Sequence, residues 1–228
     1  MPKLINETNA TPTAEPPQKP RLYRGISGDQ RRNERYEQLL SAGLSVIGSD
    51  GYAAASVRSI CAEAGLTERY FYESFVNREA LLAEVYKVQT HYLKNRMLAA
   101  VENSERNTEA FSRAGLKAFF DTLHQNPDIG RLLLFEILGV SDAIDELYYE
   151  AMEDFAVLIQ TLTESLGLAD ISDIPDEGMV YAGLVGAVLQ IARRWALNNY
   201  RDPLENVIES SLFLFIAATN YSATKTSG

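Results

Sequence analysis

The sequence predicts an all-α fold, on three observations. No run of β-branched residues alternates with polar ones as a half-buried strand would. Beyond residue 27, prolines occur only at Pro127, Pro175 and Pro203. Each sits where a helix would start, because the ring fits a first turn without losing an intrahelical hydrogen bond. Between these points apolar residues recur at spacings of three and four, which gives about nine helices.

Taken in order, residues 1–27 hold five of the eight prolines and few large apolar groups, which reads as a flexible arm. Three short helices follow at about 31–49, 56–64 and 67–73. A long fourth begins at Asn77, with Leu81, Leu82, Val85, Tyr86, Leu93 and Met97 on related faces. Further helices are expected at 107–125, 127–139, 142–166, 176–200 and 203–221, and residues 223–228 form a tail. Asp202-Pro203-Leu204-Glu205 reads as an N-cap, a proline at the first helical position and a capping-box glutamate. The stretch 178–192 is apolar nearly all round, with Gly183 and Gly186 three apart; such a helix is buried on several sides and admits a close neighbour. Together with Leu212, Phe213, Leu214, Phe215 and Ile216, it carries more apolar surface than one subunit would easily cover. The last two long helices therefore read as a homodimer interface, with deep monomer core as the alternative.

Composition narrows the function. Of 228 residues, 46% are hydrophobic and 23% charged, an ordinary globular balance. The longest apolar run, 179–189, is 11 residues, short of the roughly 18 a membrane span needs. The polar N-terminus lacks the apolar stretch of a secretory signal, and one cysteine, Cys61, excludes an intramolecular disulfide. A cytoplasmic setting without membrane partners is expected. The net charge of −10 is uneven: residues 1–87 balance 11 basic against 11 acidic side chains, and 88–228 carry 10 against 20. Lys19, Arg21, Arg24, Arg31, Arg32 and Arg35 crowd the front, so a basic face stays available to phosphate while the acidic half repels it. With two histidines, one cysteine and no Gly-rich phosphate loop, nucleophilic triads and zinc sites lack material. Glu146, Glu150 and Glu153 come without a Glu-x-x-His partner motif. No enzyme, cofactor or metal is expected; an architectural DNA-binding protein without a ligand and a helical-bundle enzyme stand as alternatives to the reading below.

Residues 56–75 meet the physical requirements of a helix-turn-helix. Ser56 can cap a helix whose inward side is Val57, Ile60, Cys61 and Ala64. Gly65 suits the left-handed conformation of a sharp turn, Leu66 plugs the angle, and Thr67 caps the next helix. Phe71 and Phe75 turn inward, leaving Thr67, Glu68, Arg69, Tyr70, Tyr72 and Ser74 on outer faces. A helix of this kind fits the major groove, where its N-terminal residues meet base edges.

The span from Arg31 to Tyr86 resembles the DNA-binding domain of TetR/AcrR-type transcriptional regulators. The resemblance is carried by Leu44, Gly51-Tyr52, the string 56–60, Ala64-Gly65-Leu66, Phe71-Tyr72, Phe75 and the string 77–82. Ser74 departs from the histidine common in that family. The resemblance implies an N-terminal three-helix DNA-binding domain at 28–76 and a helical bundle for dimerisation and ligand binding at 77–222. It also implies a repressor that leaves a palindromic double-stranded operator when a small molecule binds; activation is the open alternative.

Carried over by position, Arg58 and Arg69 are the base readers, since arginine meets guanine O6 and N7 with two hydrogen bonds. Tyr70 would pack on a thymine methyl or the sugar-phosphate wall. Ser56, Thr67, Tyr72 and Ser74 would donate to phosphates and set register. Arg78 would join the positive end of the long fourth helix at one phosphate. Two alternatives stay open: Tyr72 as packing, and Arg69 paired with Glu73. Arg21 and Arg24 either enter a minor groove or make no contact. The effector, expected to be apolar or aromatic, would be met by Phe119, Phe120, Leu123, Tyr148, Tyr149, Met152, Phe155 and Trp195, each of which could equally be ordinary core. His124 with Arg193 or Arg194 could orient an acidic group.

Overall fold

The computed structural model describes residues 28–165, 167 and 176–225. The N-terminal arm, with Arg21 and Arg24, and the end of the tail lie outside them. The described residues form nine α-helices and one π turn, with no strand among them. The helices are α1 (Gly28–Asp50), α2 (Val57–Ala64), α3 (Glu68–Ser74), α4 (Arg78–Glu102), α5 (Thr108–Gln125), α6 (Pro127–Arg131), α7 (Asp142–Ser165), α8 (Glu177–Leu197) and α9 (Leu204–Lys225).

Local chemistry sets most starts. Asn77, Asn107 and Asp176 each accept a backbone N–H from three residues on, at 2.8, 2.9 and 3.0 Å, satisfying donors a helix start would leave unpaired. Pro127 opens α6. The expected cap of α9 is different. Asp202 turns its carboxylate back to Asn198 at 3.0 Å and Glu205 pairs with Arg113 of α5 at 2.8 Å, so no capping box forms and Glu205 ties α9 to α5.

The single helix expected at 127–139 is also corrected. After α6 the chain widens into a π turn at Leu132–Glu136, then leaves the helix with Gly139 at φ +78°. Leu132, Leu133 and Leu134 are all buried. A regular helix, advancing about 100° per residue, would carry three consecutive side chains well around its circumference. π turns of this sort recur at functional sites.

One apolar cluster runs from Leu39 in α1 to Leu212 in α9 and does not break at residue 77. α4 passes from the N-terminal helices into the bundle, packing on α1, α5, α7 and the π turn. Gly48 lets α6 rest directly on α1, because a Cβ there would lie 2.3 Å from the Cβ of Asp128.

Candidate nucleic-acid interface and ligand cavity

The turn between α2 and α3 is fixed by backbone and cap bonds. Ser56 Oγ accepts the Ser59 N–H at 3.0 Å, and Ser59 Oγ accepts the Ser56 N–H at 2.9 Å, a reciprocal box that satisfies two donors. Gly65 lies at φ +65°; its N–H reaches Ala62 O and the Leu66 N–H reaches Cys61 O at 2.9 Å. No atom crowds its missing Cβ, so the left-handed angle, and not space, calls for glycine. Thr67 occupies the cap position of α3, but its hydroxyl makes no capping bond. That corrects the expected cap and leaves the hydroxyl exposed.

Phe71 and Phe75 turn inward, as expected, and Phe75 stacks on Tyr36 of α1 at 5.1 Å. Outward stand Ser56, Arg58, Thr67, Arg69 and Tyr72, all exposed, with Tyr70 and Ser74 half-buried. Arg69 is 84% exposed and donates to Glu73 at 3.1 Å, the pairing that stood as its alternative; so open a pair is weak and leaves the side chain available. Tyr72 is 58% exposed, with its ring edge-on to Phe71 at 5.4 Å. Tyr70 instead carries the Arg35 guanidinium over its ring at 4.4 Å. Nothing in the spacing of the motif pointed to this contact from α1.

Arg78 stands elsewhere than expected. Its guanidinium lies 4.5 Å from the Tyr52 ring centroid and donates to the carbonyls of Tyr52, at 3.0 Å, and Ala55. It clamps the loop before α2. On the other side of that loop, Arg131 donates to the carbonyls of Gly48, at 3.4 Å, and Ser49, and pairs with Glu136 at 3.0 Å. Glu136 in turn accepts the Tyr52 N–H at 2.8 Å. The two ends of the π turn thus hold the end of α1 and the loop that leads to the helix-turn-helix.

Two of the three leucines between those ends, Leu133 and Leu134, line an apolar cavity of about 60 Å³ walled by α4, α5, α7, α8, α9 and the π turn. Of the eight residues expected around a ligand, Phe119, Met152 and Phe155 line it. The other five are placed differently. Phe120, Leu123 and Trp195 are core, with Phe120 and Trp195 edge to face and His124 and Tyr200 against the Trp195 ring. Tyr148 is buried and accepts from Arg193 at 3.3 Å, while Tyr149 is 65% exposed. Arg193 also donates to Leu134 O at 3.0 Å and Arg194 is exposed, so Arg193 supports the π turn. The sequence reading missed Tyr86, Thr90, Leu93 and Met97 of α4 and Val185, Val188 and Leu189 of α8.

On its far side α8 is open. Met179, Gly183, Gly186, Gln190 and Leu197 are exposed along it, nothing stands within 4 Å of a Cβ at either glycine, and Phe213 of α9 is 71% exposed.

Residues 39–85 match the family described as bacterial regulatory proteins, tetR family. The chain is 20% identical over 189 residues to the fatty acid metabolism regulator protein of Bacillus subtilis, covering 82% of this chain and 97% of that protein. It is 29% identical to the HTH-type transcriptional activator FasR of Mycolicibacterium smegmatis, covering 79% of this chain and 81% of the relative. Among solved structures, the regulator FadR of Bacillus subtilis in complex with stearoyl-CoA superposes with a TM-score of 0.68 at 16% identity, over 80% of this chain and 98% of that one. No helix among the described residues is long and apolar enough to cross a membrane.

Proposed function

We propose that this chain, whose residues 39–85 match the tetR family of bacterial regulatory proteins, is a homodimeric DNA-binding repressor of that family, released from its operator by a long-chain acyl compound. The observation that carries the ligand class is the apolar cavity, whose lining is almost entirely hydrocarbon, from Leu93 and Met97 to Val188 and Leu189. Such a wall stabilises an apolar chain by about 0.8 kcal/mol for each methylene it takes from water. Relatives named for fatty acid metabolism and for stearoyl-CoA binding support the same class.

The dimer would form through α8 and α9, where Met179, Leu197 and Phe213 stand exposed and the two open glycines admit a close helix. Each protomer would then present α3 to one half of a palindrome. Arg58 and Arg69 would read bases, with Tyr70 packed beside them, while Ser56, Thr67, Tyr72 and Ser74 met phosphates. Arg78 would shape the head from behind. A chain pressing on Leu133 and Leu134 would move the π turn, and Arg131 and Glu136 at its ends would carry that movement into α1 and the head.

Footprinting on the DNA flanking its own coding region, with and without palmitoyl-CoA, tests this. The expected result is a protected palindrome that opens when the acyl compound is added. Protection indifferent to acyl compounds would overturn the ligand, and absence of protection on every fragment would overturn the regulator. Deleting the gene should raise transcription of the flanking genes; a fall would instead assign activation, the role in the name of the 29% identical relative.

A further inference from the structure

Resting on the acyl reading of the cavity, we propose that Tyr86 fixes the register of the ligand, its hydroxyl donating to the acyl carbonyl where chain and polar head join. Tyr86 is 1% exposed, and no hydrogen bond to its hydroxyl is found among the described residues. Buried hydroxyls are nearly always partnered in folded proteins, so an orphan of this kind points to a missing partner. Thr90, one turn along α4, does not supply it, because its hydroxyl already donates to the carbonyls of Tyr86 and Lys87 at 3.0 Å each.

The position of Tyr86 gives the partner its chemistry. Tyr86 and Thr90 line both the apolar cavity and a polar cleft of about 600 Å³ between α4 and α7. That cleft is walled by Lys87, His91 and Lys94 on one side and Glu150, Glu153 and Asp154 on the other, with Lys94 and Asp154 paired at 2.6 Å. Its mixed charge and width admit a large polar head without selecting one. At the opposite end, Met97, Leu116, Ile159 and Phe215 separate the cavity from a second apolar space that reaches Val101 and Phe111. From Tyr86 to Val101 the path follows α4 for about 22 Å at 1.5 Å per residue. Head space, one buried donor and two small apolar spaces stand in that order, and where the four dividing side chains part to admit a chain, it is the order of atoms in a single-chain acyl conjugate. Burial, and after it the neighbouring Tyr148 phenol, pushes the Tyr86 phenol well above its ordinary value, so it stays protonated and acts as a donor.

The test compares palmitoyl-CoA with S-hexadecyl-CoA, a thioether that lacks the carbonyl, on the full-length wild type and on Tyr86→Phe. Wild type should prefer the thioester by about tenfold, the equivalent of one neutral hydrogen bond of roughly 1.4 kcal/mol. Tyr86→Phe should bind both compounds alike, near the wild-type affinity for the thioether. Without ligand it should melt at or above the wild-type temperature, since it removes an unpaired buried hydroxyl. A variant that loses affinity for both compounds equally, or keeps the tenfold preference, would overturn the role of Tyr86. Wild type that binds neither compound, nor any shorter acyl-CoA, would overturn the acyl reading itself.

Discussion

The recognition head and the ligand half are built on opposite plans. Between Ser56 and Phe75 the polar groups stand outward, and the apolar ones, Ile60, Cys61, Phe71 and Phe75, pack on α1 as the small end of the common core. In the ligand half the groups of interest face inward and come from five helices and a π turn. A small core concentrates stability in few side chains, whereas a wall shared among many elements distributes it. The head should therefore fail at single residues, and the cavity should change its selectivity before it loses its fold.

The sharpest way to break that contrast is truncation on each side. Phe71→Ala should cost about 3–5 kcal/mol of unfolding free energy and abolish DNA binding. Met152→Ala, half-buried beside an existing void, should cost about 1–2 kcal/mol. Equal losses in denaturant melts would erase the distinction.

Next in size is Arg78→Ala, which should destabilise by about 1.5–3 kcal/mol, the range for hydrogen bonds to a charged group. Since that guanidinium is engaged by Tyr52 and Ala55, DNA binding should weaken on all sequences with an unchanged salt slope. A slope flatter by about one would restore the phosphate contact that the sequence suggested.

Arg69→Ala separates binding from stability. It should lower specific operator affinity by about 1–3 kcal/mol and relax one base position, while thermal stability moves by less than about 1 kcal/mol because its partner Glu73 is a surface pair. Equal loss on specific and random DNA would remove base reading from Arg69.

The smallest expected effect lies at the joint between the two regions. Glu136→Gln keeps an oxygen for the Tyr52 N–H but loses the ion pair with Arg131. Acyl-CoA affinity should hold, and the ligand-driven loss of DNA affinity should shrink by about 1 kcal/mol. Undiminished release would take the joint out of the relay.

The same contrast explains what could be read in advance. The helices and the head are local objects: the spacing of Val57, Ile60 and Ala64, then Gly65, is visible within ten residues. The cavity is not local. Phe119 and Phe120 are neighbours with the same side chain, yet a step of about 100° around the helix sends one to the cavity wall and the other under Trp195. Aromatic size selected residues that fill space, Phe120 and Trp195 among them, and passed over Thr90, Leu93 and Met97, which border empty space. Tyr86 and Thr90, four apart within the apolar stripe of α4, were the available clue, since polar atoms on a buried face need a reason. Arg78 was read from its place in the motif; its clamp on Tyr52 depends on how the preceding loop folds back, which no spacing records.

Thermal melting of the full-length protein with operator DNA, with palmitoyl-CoA and with both tests the coupling of head and cavity most directly. Each ligand alone should raise the melting temperature, as any ligand of the native state does. Together they should raise it by less than the sum, because linkage requires each to weaken the other. Additive shifts would mean that head and cavity act independently, and that result would contradict the mechanism.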